Sequence, residues 1–122
     1  MMTKNEAIQR VNEDLRANLL NERNTHWSTL AHHGSDEGWW LNIPYLSFRQ
    51  ELHFLLNNEK TKVFRHLRIK AGQILSPGTK FSSKDAGAEV FISAANPKRL
   101  VDILPGGSKL SFNKYVMGEY KF

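Results

Sequence analysis

The spacing of apolar residues changes along this chain, from about 3.6 residues near the N-terminus to about 2 from Lys62 onward. The first stretch places four apolar residues on one helical face: Ile8, Val11, Leu15 and Leu19. The second alternates apolar and polar residues, as a half-buried strand requires. Helix followed by strand predicts an α+β fold, with N-terminal helices packed on an antiparallel β-sheet formed mainly by the C-terminal half.

Two capping boxes predict where helices begin. Thr3 with Glu6 predicts a helix from about Lys4 to Arg23. Ser47 with Gln50 predicts a shorter helix. The apolar stripe of this shorter helix, before the Asn57-Asn58 pair, comprises Phe48, Leu52, Leu55 and Leu56. We expect the first helix to bury its apolar face on the sheet that contains Val63, Leu67 and Ile69, with Leu15 in the core.

Alternation and turn residues predict the strands. Val63 to Lys70 gives the clearest strand, and Glu89 to Ala94 gives a second after the turn signals at 76–78 and 82–87. Leu110 to Val116 predicts a final strand running toward the C-terminus. Residues 27–43 fit a hairpin closed at 34–38 or a helical turn, and we favour the hairpin. Residues 97–104 fit a helix or a strand equally well.

Length and composition limit the classes of protein to consider. The chain of 122 residues predicts a single domain, 1–122. With no cysteine, it forms no disulfide, thiolate metal site or cysteine nucleophile. The N-terminus lacks an apolar run, so we expect neither a signal peptide nor a membrane partner, and we expect a cytoplasmic location.

Charge is distributed unevenly between the two halves. Residues 1–61 hold 6 Lys/Arg against 8 Asp/Glu, whereas residues 62–122 hold 11 against 4. The candidate binding residues of the basic half are Arg65, His66, Arg68, Lys70, Lys114 and Tyr115. Basic side chains interleaved with aromatic ones neutralise phosphates and stack on bases. This half therefore predicts a surface for nucleic acid or another polyanion.

The Trp39-Trp40 pair is the second candidate site. In a strand, adjacent side chains face opposite sides, so one ring would lie in the core and the other would be exposed or covered by a partner. The exposed ring would favour a homo-oligomer, and a dimer above all. Alternatively, a pocket for a small apolar ligand lies between the first helix and a curved sheet. The candidate interface or pocket residues are Trp39, Trp40, Phe48 and Phe91.

Two further patterns have residue types found in metal sites. His26, His32 and His33 lie near Asp36, but adjacent histidines diverge and three convergent ligands are not expected. Asp102 followed by Glu119-Tyr120-Lys121 has the residue types of a nuclease metal site, in a segment too close to the C-terminus for precise geometry. We expect no metal and no cofactor.

The sequence favours a small non-enzymatic binding protein that self-associates and presents its basic sheet half to an anionic partner. One alternative is a metal-independent ribonuclease in which His66, Arg65, Lys114 and Tyr115 supply acid–base and phosphate-holding groups. Another is a domain with an apolar pocket for a small ligand. A deep apolar cavity, a flat basic face or a symmetric apolar patch would distinguish these interpretations.

Overall fold

The computed structural model describes residues 1–74 and 80–122. Helix α1, Lys4–Leu15, begins at the predicted capping box, in which Thr3 and Glu6 bind each other's backbone N–H. It ends at Arg16, which has a left-handed backbone. Within the described residues, no helix is long and apolar enough to cross a membrane.

The predicted extension of this helix to Arg23 is wrong. The side chain of Asn12 accepts a hydrogen bond from the backbone N–H of Leu20 and donates one to its carbonyl, both at 2.9 Å. This clamp folds the chain back after the helix. Leu15 is consequently 38% exposed rather than in the core, and only Ala7 and Val11 of α1 are fully buried.

Across residues 1–74 and 80–122, eight strands form two four-stranded sheets. Their bounds are β1 Thr25–Thr29, β2 Ala31–His33, β3 Asp36–Pro44, β4 Leu52–Asn58, β5 Val63–Ile69, β6 Ser82–Lys84, β7 Gly87–Ser93 and β8 Val116–Lys121. The first sheet has the order β1-β4-β5-β8 and the second β2-β3-β7-β6. The β1–β4 pair is parallel, and the other pairs are antiparallel. The fold is α+β, but its strands run through the whole chain rather than mainly through the C-terminal half.

The first sheet is covered on both faces. Its inter-sheet face packs on the second sheet in the main core, where Phe54 and Leu67 meet Leu41 and Val90. Its helix-side face packs on α1 through Leu55 and Phe64. Helix α1 therefore does not pack on Leu67 and Ile69 as predicted, because those side chains lie on the inter-sheet face.

The predicted helix at 47–57 is also wrong. Tyr45–Arg49 is a short 3₁₀ helix, and Leu52–Asn58 is β4, an inner strand of the first sheet. Because both faces of β4 are covered, residues 52 to 57 are all buried. A strand of this kind has a nearly continuous apolar sequence, which imitates the apolar stripe of a helix.

The other strand predictions are confirmed in part. β5 and β7 occupy the two predicted segments. The favoured hairpin forms between β2 and β3, whereas Trp27 lies outside it in β1. Residues 82–87 hold the short strand β6 and a two-residue turn instead of a turn alone. The predicted turn at 76–78 lies outside the described residues.

Two C-terminal predictions need correction. In the ambiguous segment 97–104 there is no helix and no regular strand; isolated bridges join Val101 to Ser111 and Asp102 to Ile92. The final strand begins at Val116 instead of Leu110, after a 3₁₀ turn at Asn113–Tyr115.

Candidate functional site

The predicted basic residues of β5 do not share one face. Side chains alternate along a strand, so Arg65 lies on the inter-sheet face with Leu67, and His66 and Arg68 lie on the helix-side face with Phe64. Each arginine contacts a glutamate. Nε of Arg65 donates to Glu119 at 3.1 Å, and Arg68 donates to Glu51 at 2.7 Å.

The other predicted polyanion-binding residues are dispersed. Lys70 is exposed just after β5. Lys114 is exposed too, and its Nζ lies 5.3 Å from the centre of the Tyr115 ring. Tyr115 itself is only 5% exposed and belongs to the main core. The described residues therefore do not combine the six side chains into a flat basic face.

His66 belongs to a buried polar array that joins β4 and β5. Its ring stacks on that of His53, and both side chains are fully buried. Nε2 of His66 lies 2.8 Å from Nδ1 of His53, and Nε2 of His53 lies 3.2 Å from Oε2 of Glu51. Arg68 contacts the other oxygen of Glu51. These four side chains, which we call the histidine array, form a continuous chain of polar contacts.

The hydrogen bonds of the array determine its neutral tautomers. An ionised Glu51 only accepts hydrogen bonds, so His53 carries its proton on Nε2 and leaves Nδ1 as an acceptor. His66 must then donate from its own Nε2, which leaves its Nδ1 as a bare acceptor. Within the described residues, that Nδ1 is buried and has no hydrogen-bond partner.

Burial controls the charge states of the array. Burial, reinforced by the neighbouring His53 and Arg68, lowers the pKa of His66 from 6.5 to about 4. Burial also lowers the pKa of His53, although Glu51 opposes this. Burial resists the ionisation of Glu51, but the hydrogen bond and charge of Arg68 prevail and lower its pKa. Both rings are neutral at pH 7, and a substrate cannot reach them in the folded protein.

A cavity of about 320 Å³ opens at the end of the sandwich where β4 and β7 end and β5 begins. We call it the end cavity. It is lined by Trp39, Leu56, Asn58, Thr61, Val63, Arg65, Ala94, Pro97 and Glu119. Apolar side chains supply most of the lining, and the Arg65–Glu119 ion pair forms part of its wall.

The two adjacent tryptophans occupy different environments. Trp39 faces the inter-sheet core, is 5% exposed and donates from Nε1 to the carbonyl of Asn57 at 2.9 Å. Trp40 is half-buried on the outer face of the second sheet, where its ring packs on Phe91 and His33. The expected separation of the two rings is confirmed, and Trp39 is the one that reaches the end cavity.

The other predicted pocket residues lie outside the lining of the end cavity. Phe48 is fully buried and stacks on Phe81, and Phe91 is fully buried beneath Trp40. The cavity also lies between the two sheets rather than between α1 and a sheet. Sequence reasoning missed Leu56 because β4 was interpreted as a helix, and it did not connect Glu119 with Arg65.

Asp102 and Glu119 make separate contacts instead of forming a joint metal site. Asp102 is fully buried, and it accepts hydrogen bonds from the backbone of Phe91 and Leu104 and from the backbone and hydroxyl of Ser108. Glu119 instead contacts Arg65. Across residues 1–74 and 80–122, no group of three or more His, Asp or Glu side chains has an arrangement that would hold a metal ion.

The three N-terminal histidines also have different surroundings. His26 is half-buried on β1, with its ring edge-on to Phe54, and burial lowers its pKa. His32 lies 3.5 Å from Glu37, and His33 packs on Trp40. Their positions serve packing and surface contacts.

No protein-family model, curated protein or solved structure matches this chain.

Proposed function

We propose that this protein is a non-enzymatic binding protein that holds a small, largely apolar molecule in the end cavity. The observation that carries the proposal is the cavity itself, which combines an apolar floor with one pair of charged groups. Small-molecule sites generally consist of a concave apolar surface with few polar groups that fix orientation. A volume of about 320 Å³ falls at the small end of their usual range, about 300–1,000 Å³.

The lining residues support this function through their rigidity. Trp39 is held by its hydrogen bond to the carbonyl of Asn57, so its ring presents a fixed apolar surface. Leu56 and Val63 come from the paired strands β4 and β5, which hold the floor in place. A preformed floor lowers the entropic cost of binding.

Two small aromatic probes, indole and benzoate, test the proposal. We expect saturation-transfer NMR to detect binding of at least one probe to the wild type, together with a change in tryptophan fluorescence. Val63→Phe should fill the cavity and abolish the signal. Val116→Phe is the matched control, because Val116 lies on β8 outside the lining. Absence of binding at millimolar probe concentration, or unchanged binding by Val63→Phe, would refute the proposal.

Contact with nucleic acid or another polyanion remains a prediction, and the ion pairs of Arg65 and Arg68 make it the weaker candidate. If it occurs, the logarithm of the binding constant for single-stranded RNA should fall with the logarithm of the salt concentration. The slope should be about −0.7 per phosphate contact. RNA cleavage in the same assay would favour the ribonuclease alternative, although full burial of His66 argues against a catalytic role.

Self-association and a cytoplasmic location also remain predictions. Besides Met1, the described residues include two strongly exposed apolar residues, Leu46 and Met117, which are 70% and 52% exposed. The interface that we predict includes Trp40, because Trp40 is the less buried ring of the tryptophan pair. Light scattering at high micromolar concentration measures the mass, and a monomer there would exclude the self-association that we predict. The lack of cysteine is compatible with a reducing compartment.

A further inference from the structure

The wall of the end cavity carries one positive and one negative group on neighbouring strands. Arg65 on β5 and Glu119 on β8 are direct partners in the strand register. They share a single hydrogen bond, from Nε of Arg65 to Oε2 of Glu119, and Nη1 of Arg65 points to the carbonyl of Pro97 at 3.5 Å. Among the described residues, Nη2 of Arg65 and Oε1 of Glu119 have no hydrogen-bond partner. A charged donor and a charged acceptor therefore stand side by side.

This pair limits the charge of a ligand. Because Arg65 and Glu119 balance each other, a ligand with one net charge would compete for one of them and leave the other without a partner. The side chain of Arg65 is only 20% exposed, so water would compensate the loss of its partner incompletely, whereas Glu119 is 45% exposed and is hydrated more fully. A zwitterion satisfies both groups, because its carboxylate accepts from the guanidinium and its ammonium donates to the glutamate.

The geometry points to a free α-amino acid with an apolar side chain as the ligand of the end cavity. Arg65 and Glu119 are in contact, so the two ligand charges that meet them must lie close together. In a free α-amino acid the ammonium and carboxylate share one carbon, whereas a peptide carries them at opposite ends. The apolar side chain would occupy the floor formed by Trp39, Leu56 and Val63. This inference rests on the proposed function.

Four compounds with the same phenylethyl body separate the contributions of the two charges: phenylalanine, 2-phenylethylamine, 3-phenylpropanoate and 3-phenylpropanamide. Phenylalanine carries both charges, 2-phenylethylamine only the positive charge and 3-phenylpropanoate only the negative charge. 3-Phenylpropanamide is uncharged. Isothermal titration calorimetry at pH 7.5 should give phenylalanine at least tenfold tighter binding than each of the others. Removing one charge-assisted hydrogen bond costs about 1.5–3 kcal/mol, so a tenfold loss is the lower expectation.

Variants of the ion pair assign each charge to its partner. In Arg65→Gln, phenylalanine should bind no better than 2-phenylethylamine; in Glu119→Gln, it should bind no better than 3-phenylpropanoate. Circular dichroism checks that both variants are folded. Equal binding of all four compounds by the wild type would overturn the amino-acid inference and leave the apolar cavity as a ligand site. If none of the four compounds binds, and indole and benzoate also fail to bind, both the amino-acid inference and the proposed function are refuted.

Discussion

Acidification should destabilise the protein through the histidine array, and His66 should contribute most. Its pKa is about 4 in the folded state and 6.5 as an ordinary side chain, so the folded protein binds fewer protons than the unfolded chain between these values. The corresponding stability is complete above about pH 6.5 and is lost as the pH falls toward 4. The protonated ring would be an imidazolium whose Nδ1 has no acceptor among the described residues.

The pKa difference sets the size of the effect. Integrating the proton difference from pH 7.5 to pH 5 gives a loss of about 2 kcal/mol from His66 alone. His53 and His26 add to this loss in the same direction, because burial lowers their pKa too. Glu51 contributes only at lower pH, since its pKa lies below the usual carboxyl range.

Urea unfolding followed by tryptophan fluorescence at several pH values tests this reasoning. His66→Phe keeps an aromatic ring on His53 but cannot titrate, so its stability should fall less steeply between pH 6.5 and 5 although it is lower at pH 7.5. His32→Gln is the matched control, because His32 is exposed on β2. Parallel curves for wild type and His66→Phe would refute the assigned role. NMR of the imidazole nitrogens should also find both His53 and His66 protonated on Nε2.

Three further stability predictions follow from the fold, each measured by urea unfolding at pH 7.5. Val11→Ala should lower the free energy of unfolding by about 2 kcal/mol because Val11 is fully buried, whereas Leu15→Ala should lower it by less than about 1 kcal/mol. Equal losses would contradict the described end of α1. Asp102→Ala should cost at least about 3 kcal/mol because it leaves several buried donors unpaired, and a loss below 1 kcal/mol would disprove that role. Ala86→Gly should stabilise by about 1 kcal/mol, since Ala86 has a left-handed backbone; a destabilised variant would exclude this geometry.

Local pattern predicted those elements whose two faces differ in polarity. β5 was predictable because Leu67 and Ile69 alternate with His66, Arg68 and Lys70. β4 was not, because tertiary packing covers both of its faces, and Leu55, between Phe54 and Leu56, breaks the alternation that marks a strand. The end of α1 escaped prediction for a different reason. Leu19 continues the helical spacing, but the hydrogen bonds between Asn12 and Leu20 turn the chain.

The candidate sites depend on strand register, which local periodicity does not determine. The alternation Trp39, Leu41, Ile43 on one face of β3 was a signal that Trp39 would be the buried ring. In contrast, Arg65 meets Glu119 only because β5 pairs with β8, and these residues lie far apart in the sequence. The pairing of His53 with His66 likewise requires that β4 be a strand beside β5.

The parallel pairing of β1 with β4 has a consequence for folding. The chain leaves the first sheet after β1, forms the β2–β3 hairpin of the second sheet, and only then returns to place β4 beside β1. Neither sheet can therefore be completed from one continuous segment, and the completion of each sheet requires contacts that span long stretches of chain. We expect a slow, cooperative transition in which Trp27 of the first sheet and Trp39 of the second lose their native environments together.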